Sequence, residues 1–418
     1  MAATQKWIPA MIAFALLLMC GLMAMFPAET WHAGVRGLSI WWDVLFPSLF
    51  PFLVLSELLL GFGIVHFLGT MLNPLMRPLF RVPGSGGFVF AVSCASGYPT
   101  GAKLTAQLYE QKLVTREEGE RLVSFTTSSD PIFMIGAVSV GFFHNAAIAP
   151  VLVIAHYASA FIVGVLMRFH GSSGTIPSAP ASDAHVLSSG ERRKNRVARA
   201  IRAMHEARLA DGRPLGELLR QAVASSLRLI IIVGGLVVFF SVIMELLVQT
   251  GALGQLYRFT EHLLQLAGLP SAVSHSLVGG LFEVTLGAKE AGAAGSAVPL
   301  PYKVAAAAFV LSWGGLSVHA QIMSVLSHTP LRYGPFLLAR VIHALIAPVL
   351  VLLLWSPITG SLTQSVFHPS GVISGQSIYR ADWSLILFSG IGVLAGMILF
   401  MLSISFMCSR FLPRRIER

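Results

Sequence analysis

Two lysines occur in the same tripeptide, Gly101-Ala102-Lys103 and Gly287-Ala288-Lys289, inside two polar islands of a very apolar chain. An ammonium group beside the free N–H groups of a helix start can hold a small anion, because both offset the charge that a carboxylate exposes on leaving water. In the first island Ser96 and Gly97 can end one half-helix. Pro99 suits the first turn of the next, where its missing N–H costs nothing. Ser96, Gly97, Tyr98, Thr100, Gly101 and Lys103 are therefore candidate binding residues, and Glu283, Thr285, Gly287 and Lys289 are their counterparts in the second island. The competing reading is packing and pairing. Gly97-x-x-x-Gly101 lets helices approach, Lys103 snorkels to an interface, and Lys289 pairs with Glu283 or Glu290.

Each island precedes a second interruption. Thr127, Ser128, Ser129 and Asp130 stand before Pro131 in an apolar run, a stop signal followed by a start signal. Asp130 either caps the restarted helix or meets a substrate or proton, since a carboxylate within a membrane is costly. In the second half Gly314-Gly315, Ser317, His319 and Gln321 loosen the corresponding run. His319 can titrate or hydrogen-bond a ligand, although a lone histidine is more often structural. Tyr98 and Trp313 offer rings on which an aromatic solute can stack. Glu57 and Glu245 are expected to bond neighbouring helices.

Membrane helices must position these residues. Hydrophobic residues make up 55% of the 418, charged residues only 11%, and the mean hydropathy is +0.74. A soluble domain carries about 25% charged residues. Apolar runs long enough to cross a bilayer fall at 8–26, 38–62, 122–143, 146–168, 225–250, 304–326, 334–356 and 383–407. The first has only Lys6 before it and no convincing cleavage site, so it reads as a retained helix. Residues 84–109 and 270–298 are too polar for simple spans and too apolar for loops, and read as re-entrant hairpins.

The halves repeat. Glu57 and Glu245 stand 188 residues apart, as do Ser124 and Ser312, and Gly101 and Gly287 stand 186 apart. Between Arg168 and Arg220 lies a polar segment with ten Lys/Arg against five Asp/Glu, and the tail RFLPRRIER carries four Arg against one Glu. Both are expected on the cytoplasmic side, which makes the two repeats inverted. The expected fold is an all-α polytopic membrane protein, an inverted repeat with about eight transmembrane helices and two re-entrant hairpins. Its parts are an N-terminal helix and loop (1–37), a first repeat (38–168), a basic cytoplasmic linker (169–224), a second repeat (225–356), and an outside loop, last helix and basic tail (357–418).

The net charge of +10 gathers in loops that set orientation, so no nucleic-acid partner is expected. Cys20, Cys94 and Cys408 show no metal-ligand spacing, and no cofactor is expected. A membrane enzyme is disfavoured, since no phosphate loop, H-E-x-x-H pair or G-x-S-x-G elbow occurs. The expected partners are a small anionic solute and the lipid bilayer. A coupling ion and a homo-oligomer remain open.

SGYPTGAK from Ser96, LVSFTTSSDPIFMIG from Leu122, FEVTLGAKEAG from Phe282 and GGLSVHAQ from Gly314 together resemble the YlbJ family of sporulation integral membrane proteins in endospore-forming bacteria. The resemblance implies a nucleoside-transporter-like gate domain. It also implies movement of dipicolinic acid from the mother cell toward the forespore, with this chain in the outer forespore membrane. A nucleoside or other heteroaromatic substrate, or a non-transporting role in spore assembly, is the alternative.

Overall fold

The computed structural model describes residues 4–171 and 196–363. Most of the polar linker's first half, the span expected at 383–407, the basic tail, Cys408 and all but the start of the loop expected at 357–382 lie outside the described residues; that start, to Thr363, continues the last helix. The described chain is helical, with no strand among those residues, so this is an all-α polytopic membrane protein.

The first helix, α1, spans Thr4–Met25. It turns sharply into α2 (Pro27–Ser39), and the two apolar stretches are bent by 102°. A π-helical segment, Ile40–Leu45, leads into α3 (Phe46–Gly61), which is followed by α4 (Ile64–Leu75). Next come α5 (Ser85–Ser96) and α6 (Tyr98–Glu110), broken at Gly97. The helix α7 (Arg116–Thr126) starts at a capping box in which Thr115 and Glu118 bond each other's backbone N–H groups. It stops before residues 127–130, and a helix resumes at Pro131 and runs as the π-helical segment Phe133–Phe142. The first half closes with α8 (Ala149–Met167).

The basic segment contributes α9 (Arg196–Asp211), which packs on α4 rather than lying free in solvent. There the backbone of Met204 comes so near Gly63 that a Cβ would have no room. The long α10 (Leu215–Gln249) has 35 residues, roughly 52 Å at 1.5 Å per residue. It lies against α2 and α3 as an outer support, with Glu245 paired to Arg36 and Trp41 donating to the Ile230 carbonyl. Then follow α11 (Ala252–Leu266), α12 (Ser274–Phe282) and α13 (Val284–Ala293), the last two broken at Glu283. The second half ends in α14 (Leu300–Trp313), α15 (Gly315–Leu326) and α16 (Tyr333–Thr363).

Four stretches are long and apolar enough to cross a membrane, or five if the bent first pair is one span. The expected spans at 38–62 and 122–143 are instead divided into shorter helices. Pro131 bars a helical residue before it, and the hydroxyls of 127–129 compete for the backbone. The main apolar core joins the halves: the Phe133–Phe142 segment and α8 pack with α13, α14 and α16. Four consecutive alanines, Ala305 to Ala308, are buried in α14 and let α16 come close.

Candidate functional site

The first hairpin turns at Gly97, whose φ of 79° and ψ of −171° suit glycine alone. Its arms touch through Gly101, where an added Cβ would meet the Ser93 hydroxyl at 2.7 Å and the Thr126 hydroxyl at 2.8 Å. The broken span lies alongside. Asp130 accepts from the N–H groups of Ile132 (3.1 Å) and Phe133 (2.8 Å), so it caps the restarted helix. Its other oxygen faces Gly97, 3.1 Å from where a Cβ would stand. The two breaks of the first half therefore meet, with glycine on the hairpin and the acid on the span.

The second half has the same arrangement with the parts exchanged. Glu283 interrupts the hairpin and accepts from the Leu286 N–H at 2.9 Å, capping α13. The broken span passes beside it at Gly315, whose Cβ would lie 3.0 Å from the Glu283 Cα. Gly287 is the close contact between the hairpin arms, facing Gly280 and Ser276, and the Ser276 hydroxyl donates to its carbonyl at 2.8 Å.

The halves also clasp each other. The second arm of the first hairpin, α6, packs on α15 of the second broken span, while α13 of the second hairpin packs on the Phe133–Phe142 segment of the first. The Tyr98 hydroxyl donates to the Leu311 carbonyl at 2.7 Å across this seam.

Thr127, Ser128, Ser129, Thr285, Ser317 and His319 are all buried at or near the breaks, and Thr100, Asp130 and Gln321 are partly buried. Ser96 ends α5 beside the turn. Lys103 and Lys289 are exposed, and among the described residues neither enters an ion pair, so Lys289 joins neither Glu283 nor Glu290. The rings expected to stack on a solute are engaged within the protein. Trp313 lies on His319 with ring centroids 4.3 Å apart and donates to the Leu281 carbonyl, while His319 bonds Tyr333 and the Trp313 carbonyl.

Sequence reasoning missed the centre. His156 on α8 and His343 on α16 stand 187 residues apart, between the 186 and 188 of the repeat markers, and their rings face each other at 4.7 Å. The Ser129 N–H donates to His156 Nε2 at 3.2 Å, so the proton of the neutral ring sits on Nδ1 and is directed to the Ser312 hydroxyl, 3.1 Å away. His343 donates from Nε2 to the His156 carbonyl at 3.0 Å. Arg340, wholly enclosed, donates to the carbonyls of the repeat-matched Ser124 (2.7 Å) and Ser312 (3.3 Å). Tyr157 joins the same network by donating to the Ser129 carbonyl at 2.8 Å. An arginine and two histidines within apolar runs were the available signal, since ionisable groups there are costly and commonly functional.

One further contact links the halves outside the spans. Glu120, with no exposed side-chain surface, accepts from Arg332, Arg116 and His170. Burial alone would push its carboxyl up, but the bonds from Arg332, His170 and Arg116 outweigh that and hold it at about 2.

Broken helices packed around a buried polar centre fit a membrane transporter-like protein, and the comparisons point the same way. A family model described as Gate: Nucleoside recognition matches residues 43–173, which take in the whole first crossing and His156. The chain is 45% identical over 337 residues to the sporulation integral membrane protein YlbJ of Bacillus subtilis, covering 79% of each chain, and it belongs to that family. Over 137 residues it is 28% identical to an uncharacterized protein of Alkalihalophilus pseudofirmus, covering 32% of this chain and 29% of that one. No solved structure matches it.

Proposed function

We propose that this protein carries a small aromatic dicarboxylate across a membrane by alternating access, and that the substrate is dipicolinic acid moving from the mother cell toward the forespore. The observation that carries this reading is the reciprocal clasp: each half supplies a hairpin and a broken span, and each packs its second arm on the other half's broken span. Short half-helices meeting at polar breaks let one half rock against the other without exposing backbone to lipid. On this reading the halves are an inverted repeat, the two hairpins are re-entrant, and the solute lies between them near the midplane. The buried hydroxyls of Thr127, Ser128 and Ser317 line its path. Lys103 and Lys289, being exposed, draw the dianion toward the hairpins from solution.

The test is uptake by purified protein in liposomes. Labelled dipicolinate should accumulate in protein-containing vesicles, and imposed proton or sodium gradients should reveal any coupling ion. No uptake under any gradient, with protein of verified fold, would overturn the reading. The second reading, a nucleoside carrier, is favoured by the matched gate region; uridine uptake that dipicolinate does not inhibit would establish it instead. An architectural role in spore assembly has no need of four polar breaks. We place the basic linker and the C-terminus in the mother-cell cytoplasm and the chain in the outer forespore membrane. Cysteines introduced at Ser188 and Gly371 should then label from opposite sides, and equal labelling would refute that topology.

A further inference from the structure

Arg340 is a wholly buried cation at the centre of the molecule. Among the described residues no carboxylate lies within ion-pair distance. The nearest features are dipoles and rings: the Ser124 and Ser312 carbonyls and the Phe336 ring, whose centroid is 5.5 Å from the guanidinium carbon. Those carbonyls hold both terminal nitrogens and leave Nε, which is buried without a partner. One turn along α16, His343 spends its Nε2 proton on the His156 carbonyl, and its Nδ1 is likewise buried and unpartnered. A donor and an acceptor thus stand idle on one face of one helix, at the junction of the two repeats.

The acids of the two crossings do not supply the missing charge. Asp130 and Glu283 are turned to the N–H groups of the helices they cap. An anion placed at the first hairpin's turn would face the Asp130 carboxylate, which lies against Gly97. The exposed lysines are not enclosed with the breaks. A buried guanidinium without a counter-charge is costly, and a ligand carboxylate removes that cost.

We propose that Arg340 is the residue that receives a carboxylate of the transported solute. This rests on reading the protein as a dicarboxylate carrier. The carbonyls that orient Arg340 belong to residues just before the two breaks, Ser124 ahead of Thr127 and Ser312 ahead of Gly314. Movement of one half against the other therefore alters the grip on the guanidinium, and the bound carboxylate feels that movement.

The experiment uses the purified full chain in detergent and measures dissociation constants for dipicolinate, for its uncharged diamide and for uridine. The wild type should bind dipicolinate at least tenfold more tightly than the diamide, which has the same ring and shape without the charge. Arg340→Gln keeps amide donors for the serine carbonyls and removes the charge; it should weaken dipicolinate at least tenfold while leaving diamide binding unchanged, and Arg340→Lys should recover part of the loss. Dipicolinate bound by Arg340→Gln as tightly as by the wild type would overturn the role of Arg340 and leave the carrier reading intact. If Arg340→Gln does not fold, the wild-type comparison decides: equal affinity for diamide and dipicolinate removes any cation from recognition. A wild type that binds uridine or nothing, and no carboxylate, overturns both the substrate reading and this site.

Discussion

In the first half the acid that caps a restarted helix, Asp130, stands on the broken span and faces a glycine, Gly97, on the hairpin; in the second half the acid, Glu283, stands on the hairpin and the glycine, Gly315, on the broken span. Each crossing needs one residue small enough for close approach and one acceptor for orphan N–H groups. Which element supplies which is free. Two halves that share this plan can therefore differ in sequence at their crossings while the packing survives. Residues that touch across the junction have less freedom, and there the matched pairs Ser124 with Ser312 and His156 with His343 remain identical in type.

The harshest way to break the comparison is to fill the glycines. Gly97→Ala forces a side chain onto a backbone that only glycine adopts readily and pushes it against Asp130, with an expected loss of about 3 kcal/mol. Gly315→Ala, at φ 72° and against the Glu283 backbone, should cost a similar amount. Thermal melting of the purified variants checks this against Gly212→Ala, which also has positive φ but an open surround and should cost less. Equal losses at all three positions would mean that the close approach at the crossings contributes nothing.

Next come the caps. Asp130→Ala and Glu283→Ala should each cost about 1–2 kcal/mol, while Asp130→Asn and Glu283→Gln should recover most of it, because an amide oxygen accepts the same N–H bonds. If the amide variants melt like the wild type yet fail to transport, the acids act in transport as well as in capping. The comparison would then sharpen into one of charge.

A smaller, pH-dependent effect is expected at the Glu120 contact. Its carboxyl is held below its ordinary value, so its contribution is fully present above about pH 4.5 and is lost as pH falls through about 2. Arg332→Ala removes two side-chain donors and should move that loss to higher pH, with little change at pH 7.5 in the Arg116→Ala variant, whose side chain gives Glu120 a single bond. Melting curves between pH 7.5 and pH 2 measure it; superimposable profiles for wild type and Arg332→Ala would contradict the assignment.

The least effect on stability is expected from Lys103→Met and Lys289→Met, within about 0.5 kcal/mol, because both side chains are exposed and unpaired. Should the lysines draw the anion in, uptake falls through a raised KM with kcat nearly unchanged. Full uptake at normal membrane abundance in the double variant removes them from the site.

The breaks were legible because their causes are local. Gly97 before Pro99, the hydroxyl run before Pro131 and the glycine pair at 314–315 each interrupt a helix by their own backbone chemistry, whatever surrounds them. Both hairpins fall within the stretches marked by composition. The capping role of Asp130 was one of two readings, and the direction of its carboxylate decided that it caps. Ser124 and Ser312 were visible as repeat markers, but nothing local says that one guanidinium joins their carbonyls.

Composition and periodicity by themselves determined that the chain is an all-α membrane protein, that it carries a repeated pattern, and where its helices break at Gly97, before Pro131 and at Gly314-Gly315. These follow from transfer of apolar surface and from the φ/ψ limits of single residues, both of which act within a few positions along the chain. Tertiary structure alone decided that matched lysines lie on the surface while Arg340, His156 and His343 meet at the centre. In a helix of nearly uniform hydrophobicity the pattern of residue types does not say which face turns inward. That choice belongs to packing between helices far apart in sequence, where α8 of one half meets α16 of the other.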